Sequence, residues 1–380
     1  MQAGAGDELS IAMVGTRGVP ARYGGFETAV EEVGRRLVDR GHRVTVYCRR
    51  SGGEDEARPE EHHGMRLVHL PAVRRRSLET LSHTGLSVAH LVRHRTDVAL
   101  VFNAANAPYL PALRAARIPV ATHVDGLEWR RAKWSGLGQR YYKGVERLSV
   151  WWSDALIADA PGISDYYSEK FDAGTTQIAY GAPITDGKTD RLGELGLVPE
   201  QFHLVVARFE PENHVELIVK GYVRSGAQLP LVVVGSAPYS DDYTAAVEAA
   251  SDERVRFLGG VWDQELLDQL YAGARTYLHG HSVGGTNPSL LRAIGAGAAV
   301  LAYDVNFNRD VLAGAGRYFG DDVDVARLVE TAETDIEGAR EQGRQARERA
   351  HDYDWDDVTD RYEALCFDLV RGRRGAVQPA

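Results

Sequence analysis

Cysteine is scarce in this sequence: two residues, Cys48 and Cys366, in 380. Both lie in apolar segments far apart in the chain, which argues against a disulfide-stapled scaffold or a cysteine zinc site and fits two buried thiols in a reducing compartment. No apolar run approaches the roughly 18 residues that cross a bilayer, and residues 1–9 lack a basic segment followed by an apolar one. A cytosolic protein is therefore expected. Basic charge is also short: 44 Lys and Arg against 54 Asp and Glu leave a formal net charge of −10. That balance lacks the broad electrostatic footprint of a nucleic-acid binder, so no nucleic-acid partner is expected. Neither a short-period repeat nor a low-complexity tract is present.

What the chain does have is length, glycine and a regular alternation. Its 380 residues suffice for two domains with real cores, and its 40 glycines suit many tight βα turns. An apolar run at residues 10–14 leads into the turn GTRGVPARYGG and then a helical pattern with Phe26, Ala29, Val30, Val33 and Leu37 on one face. Glu31/Arg35 and Glu32/Arg36 stand four apart as solvent-side ion pairs. Gly41 ends the helix and RVTVYC (43–48) follows as a strand, which completes a βαβ unit with parallel strands.

Strand-like runs at 65–70, 98–102, 120–123 and 155–158 extend this array. The same grammar restarts with strands at 202–209, 229–234, 254–258, 276–279 and 299–303, and helices at 213–224, 239–250, 263–273 and 288–296. The polar segment 185–196 is the expected connection. The fold class is α/β: two Rossmann-like, doubly wound domains, each binding ligands in loops at the C-terminal ends of its strands.

Within 279–304, Asn287 reads as a helix N-cap and Pro288 as the first helical residue, so free N–H groups face the preceding loop. Gly284 and Gly285 let the backbone approach a ligand closely, and a diphosphate is the natural occupant. A capped helix behind a tight turn is the plainer alternative. The first turn, Gly15-Thr16-Arg17-Gly18 with Gly24-Gly25, is not GxGxxG, and the next strand ends Cys48-Arg49-Arg50 with no acid for a ribose. That argues against a nicotinamide dehydrogenase.

Other residues have structural readings. Asp322-Val323-Asp324 and Asp352-Tyr353-Asp354-Trp355-Asp356 contain DxD but precede helix-like segments, where acids suit a helix N-terminus. His62-His63 has no second ligand pair at helical spacing and reads as a solvated loop rather than a metal site. Trp129, Trp134, Trp151 and Trp152 serve either packing or an acceptor groove. Arg74-Arg75-Arg76 precedes the amphipathic stretch SLETLSHTGLSVAHLVRH, either a solvated charge run or a contact for an anionic membrane face.

Six segments in order, VGTRGVPARYGGFETAVEEVGRRL, THVDGLEWRRAKW, ADAPGISDYY, IAYGAP, ARFEPENHVELIVKGY and HGHSVGGTNPSLL, resemble the GT-B glycosyltransferases of family 4. More narrowly, they are similar to its rhamnosyltransferase-like branch, which begins GTRG(I/V)PARYGGFET. The resemblance implies an acceptor domain over 1–184, a donor domain over 185–352, a cleft between them, and a helix within 353–380 that crosses back to the first domain. It also implies a retaining transfer from a nucleotide-diphosphate sugar, without metal or other cofactor. The implied acceptor is a saccharide or polyprenyl-diphosphate-linked saccharide of a cell-surface glycan, met in the cytoplasm or at the inner membrane face.

By the same resemblance Arg208 and the loop Gly284, Gly285, Thr286 and Asn287, with Gly24 and Gly25, hold the diphosphate and donor sugar. Gly260 and Val261 meet the nucleotide base. His123, with Asp125 as its rival, stands at the reaction centre, and Tyr23, Phe26 and Glu27 lie on the acceptor side. Glu27 equally suits a first-turn helix acid. Three positions depart from the family pattern: Gly284 and Arg292 replace a pair of glutamates, and Asn213 replaces a lysine. Either Arg292 meets the nucleotide in another way, or the protein is a sugar-nucleotide sensor or scaffold with weak or no turnover. An epimerase on the same fold is a further rival.

Overall fold

The computed structural model describes residues 8–21, 24–50, 58–73, 78–124, 127–130, 136–235 and 241–372. Tyr23, Asp125, Trp134 and the Arg74-Arg75-Arg76 run lie outside the described residues. The chain divides into two units: residues up to Tyr180 with the segment from Trp355 onward, and Gly181–Asp354.

In the first unit the apolar runs become strands β1 (Ser10–Val14), β2 (Arg43–Arg49), β3 (Glu61–His62), β4 (Met65–Leu70), β5 (Val98–Phe102), β6 (Val120–His123), β7 (Ala155–Ala158) and β8 (Thr176–Gln177). They form one sheet in the order β3-β4-β2-β1-β5-β6-β7-β8, parallel except for the β3–β4 hairpin. Strand order reverses between β1 and β5, so the loops after these two strands open a crevice at their C-terminal ends. The helices are α1 (Gly25–Asp39), α2 (Glu79–Arg93), α3 (Leu110–Ala115), α4 (Gly136–Trp152) and α5 (Pro161–Phe171). Helix α1 buries Ala29, Val30, Val33, Gly34 and Leu37, the face its spacing predicts.

The second unit repeats the plan with β9 (His203–Val206), β10 (Leu231–Val234), β11 (Val255–Gly259), β12 (Thr276–His279), β13 (Val300–Tyr303) and β14 (Gly316–Phe319), all parallel, in the order β11-β10-β9-β12-β13-β14. Its reversal lies between β9 and β12. The flanking helices are α6 (Val215–Arg224), α7 (Asp241–Ala249), α8 (Gln264–Gly273), α9 (Pro288–Gly295), α10 (Asn306–Leu312), α11 (Asp322–Thr334) and α12 (Ile336–Ala350). Val205, Ile218, Leu231, Val233, Leu278 and Leu301 share one buried core beneath them. Each such side chain contributes about 1.5–3 kcal/mol by leaving water.

Helix α13 (Trp355–Val370) belongs to the first unit and lies on α1. Arg36 Nε donates to Asp356 Oδ1 at 2.9 Å, and Glu363 meets Arg40 Nη1 at 2.7 Å and His42 Nε2 at 2.8 Å.

The acids of the formal DxD segments are helix-terminal, as read from the sequence. Asp321 caps α11 by accepting from Asp324 N, and Asp324 pairs with Arg327 at 2.9 Å. Asp356 lies in the first turn of α13. Cys48 and Cys366 are both buried and unbridged. Burial pushes their thiols up to about 11 and about 12.

Two expectations on α1 and its neighbours are corrected. Arg35 and Arg36 both turn to Glu32, Arg35 at 2.7 Å, and Glu31 turns instead toward His62 and His63, where Oε1 lies 2.9 Å from His62 Nε2. His62 is therefore not in a solvated loop: it ends β3 half-buried and is engaged by a helix carboxylate, while His63 stands exposed in the turn that follows. A hairpin folded against α1 makes the contact, which helical spacing within α1 does not encode.

Candidate active site

In the first unit the crevice is walled by backbone at close range. Gly15, with φ +102, lies so close to the Phe102 carbonyl and to Asn106 Nδ2 that a β-carbon would clash with both. The Asn106 amide donates to Phe102 O at 2.7 Å within the β5 loop and lies 3.5 Å from Gly15 O in the loop after β1. Gly24 caps α1 and Gly25 opens it. Glu27 Oε1 accepts from Arg17 N at 3.0 Å, and Glu31 Oε2 accepts from Ala21 N, so these two acids hold the 17–21 turn against α1. Glu27 also lies in the first turn of α1.

His123 ends β6 opposite Phe102 on β5. Its imidazole stacks between Phe102, at 5.8 Å and 19°, and Tyr180, at 5.8 Å and 15°, while Phe26 meets it edge-on at 5.1 Å and 83°. Phe26 thus forms one wall around His123. The histidine is 1% exposed, and among the described residues neither ring nitrogen has a hydrogen-bond partner. Burial drives its pKa from 6.5 down to about 3, so the ring is neutral at physiological pH. A neutral imidazole carries one donor and one acceptor nitrogen, suited to a hydroxyl group.

In the second unit the β9 and β12 loops are stitched together. Asn213 Nδ2 donates to Arg208 O at 2.8 Å, and Asn213 Oδ1 lies 2.7 Å from His281 Nδ1. Ser282 N donates to Glu212 O at 3.0 Å. Arg208 is half-exposed, with Nη1 3.6 Å from Glu210 Oε1. Beyond it the chain passes through Gly284, at φ +118 in the region that favours glycine, then Gly285 and the buried Thr286. Asn287 caps α9, its Oδ1 accepting from Ser289 N at 2.9 Å, and Pro288 takes the first helical position. Backbone donors at this helix start and the Arg208 guanidinium on the adjacent loop suit a diphosphate.

A second buried histidine stands behind this loop. His279 Nδ1 lies 3.1 Å from the Tyr277 hydroxyl, which donates to Ser289 Oγ at 3.1 Å, and Ser289 Oγ donates to Asn287 Oδ1 at 2.8 Å. His279 Nε2 has no partner among the described residues, and burial lowers its pKa to about 3. Arg292 has a partner of its own: Nε donates to Asp268 Oδ1 on α8 at 2.6 Å. Gly260 and Val261 follow β11, and the indole of Trp262, 64% exposed, lies over Gly260.

Residues 24–180 match the Glycosyl transferase 4-like domain, and residues 194–351 match the Glycosyl transferases group 1 family. The chain belongs to the group 1 glycosyltransferases. Its α/β architecture, two parallel-sheet domains, is the GT-B fold. Sucrose-phosphate synthase from Thermosynechococcus elongatus superimposes with a TM-score of 0.81 at 20% identity, covering 96% of this chain and 99% of that one. The Anabaena protein HepE in complex with UDP-glucose gives a TM-score of 0.75 at 17% identity, covering 94% and 99%. In sequence, the chain is 27% identical over 140 residues to the GtfA subunit of a UDP-N-acetylglucosamine–peptide N-acetylglucosaminyltransferase from Streptococcus gordonii. That match covers 36% of this chain and 27% of the relative's length.

For a group 1 glycosyltransferase, the sequence reading brings together the expected loops and leaves their supports unseen. Arg208 and the Gly284–Asn287 loop lie on adjacent loops, and His123 sits at a strand end. Of the two rings stacked on His123, Phe102 lies on a strand and reads as core, while Tyr180 lies in the IAYGAP segment after β8, to which the sequence attached no role. Asn213 was visible only as a departure from a pattern; its role is to join two loops. His279 belongs to the HGHSVGGTNPSLL segment, where spacing alone gives it no role.

Proposed function

We propose that the protein is an active, retaining, metal-independent transferase. It moves a hexose or deoxyhexose, with rhamnose from a dTDP donor as the first candidate, onto a saccharide or lipid-linked saccharide in cell-surface glycan synthesis. The observation that carries this reading is the β9/β12 crevice, where Asn213 holds the Arg208 loop to the loop that opens α9. There a diphosphate would meet the guanidinium and backbone N–H groups together.

In the step proposed, the bond from the anomeric carbon to the diphosphate oxygen breaks as the acceptor oxygen bonds to the same face. The acceptor proton passes to the departing diphosphate. The protein supplies orientation and charge stabilisation, and no enzymic nucleophile takes part. His123, neutral and without a protein partner, would hold a sugar hydroxyl. Trp262 would stack on the nucleobase, since its exposed indole adjoins Gly260 and Val261.

Calorimetric titration of the purified protein with UDP, GDP, ADP and dTDP, then with the sugars of whichever binds, tests the reading. Tight binding of one nucleotide and consumption of its sugar in the presence of an acceptor are expected. Failure to bind any of the four overturns it.

The Arg292–Asp268 pair and the inward use of Asn213 favour a second reading, a sugar-nucleotide sensor or scaffold without turnover. Donor binding with no donor consumed across a panel of saccharide acceptors would establish that alternative. Peripheral docking to an anionic membrane is also proposed, supported by Leu86 and Val92 exposed on α2. Reversing the charges of Arg74, Arg75 and Arg76 should lower co-sedimentation with anionic vesicles.

A further inference from the structure

We propose that Glu31, His62 and His63 form a binding site for a divalent transition metal of the zinc class, which fastens the β3–β4 hairpin to α1. Successive residues of a strand normally point to opposite faces. His63 instead adopts φ +48, in the left-handed region that costs a residue with a β-carbon about 1–2 kcal/mol. The result is that neighbouring imidazoles share one side of the hairpin, with ring centroids 4.1 Å apart at 54°.

Both rings aim the same atom at one carboxylate oxygen. Glu31 Oε1 lies 2.9 Å from His62 Nε2 and 3.7 Å from His63 Nε2. One ligand atom from each of the three residues falls within 4.8 Å of the others. Zinc–nitrogen and zinc–oxygen bonds of about 2.0–2.1 Å in a tetrahedron separate neighbouring ligand atoms by about 3.3 Å. The two nitrogen–oxygen distances bracket that spacing, so small side-chain rotations would seat an ion among the three. Two imidazoles and a carboxylate select zinc, nickel or copper over magnesium or calcium, and a fourth position is left for water.

The neighbourhood suits a cation as well. Glu31, Glu32, Asp39 and His63 with Arg35 line a recess open to solvent, and Arg35 is already neutralised by Glu32 at 2.7 Å. The half-buried Glu31 and His62 side chains, 19% and 22% exposed, give the ion a partly desolvated seat. Glu31 also accepts from Ala21 N through its other oxygen, so an ion here would brace the 17–21 turn as well as the hairpin. The site is structural and takes no part in the transfer step proposed above.

The test is Zn²⁺ titration of the untagged, chelator-treated full chain by calorimetry, beside His62→Ala, His63→Asn and Glu31→Gln. Asn tolerates the left-handed conformation at 63 and Gln can still accept from Ala21, so these variants keep the local fold. We expect a single equivalent of zinc bound by the wild type and affinity at least about tenfold weaker in each variant. No stoichiometric uptake by the wild type, or unchanged affinity in the variants, overturns the proposal. X-ray absorption of the zinc-loaded wild type reads the ligands without any mutation: two imidazoles are expected, and a shell without them overturns it.

Discussion

The imidazole of His123 and the ring of Tyr180 lie nearly parallel, their centroids 5.8 Å apart at 15°, and among the described residues no hydrogen bond reaches either histidine nitrogen. The ring is held by packing against Phe26, Phe102 and Tyr180, and both of its nitrogens are buried. Replacing His123 by Ala should lower kcat by about 10²-fold while nucleotide affinity changes little, because the diphosphate contacts proposed are Arg208 and the loop before α9. Steady-state kinetics with calorimetric nucleotide binding separates the two effects.

Buried neutral histidines also set the acid limit of stability. His123 and His279 fall from 6.5 to about 3 on folding, and His83 to about 4 beside Arg49. Below pH 6.5 the unfolded chain takes up protons that the native rings refuse, so stability is full above that pH and is lost as pH falls toward 3. Each buried ring adds a slope of up to about 1.4 kcal/mol per pH unit. Urea midpoints measured from pH 7 to 4.5 should decline, and less steeply in His279→Asn.

Arg208→Ala should raise the donor KM by about tenfold or more, with partial recovery in Arg208→Lys, which restores charge but not the planar fork. An unaltered KM would place the diphosphate somewhere else.

Asn213 joins Arg208 O to His281 across two loops. Asn213→Ala should cost about 1–3 kcal/mol by stranding buried partners. Asn213→Lys, the residue of the family pattern, should destabilise the unit as well, because lysine has no acceptor for His281. Chemical denaturation of both variants checks this.

Trp262→Ala should weaken nucleotide binding by about 1–3 kcal/mol if the indole carries the base, and leave the unfolding midpoint nearly unchanged, since the side chain is 64% exposed. Calorimetry and thermal unfolding read the two outcomes.

Most of the architecture was legible because parallel strands buried on both faces appear as plain apolar runs, as in Val98–Phe102 and Leu231–Val234. Strands β3, β8 and β14 were not, because Glu61–His62 and Thr176–Gln177 are two-residue edge pairings and Gly316–Phe319 carries a glycine and an arginine. In the site, Asn287-Pro288 announced itself through local capping chemistry. The Glu31–His62 contact and the Asn213 stitch did not, since each joins segments whose proximity exists only after folding.

Helix α13 gives the first unit its last piece only after all of Gly181–Asp354 has been made. At about 5–20 residues per second, a ribosome spends many seconds between completing β8 and delivering Asp356 and Glu363 to Arg36, Arg40 and His42. Throughout that interval the outer face of α1 stands uncovered on the nascent chain. The amino-terminal unit is therefore the first begun and the last finished, and a stop codon before Trp355 would remove one of its own helices.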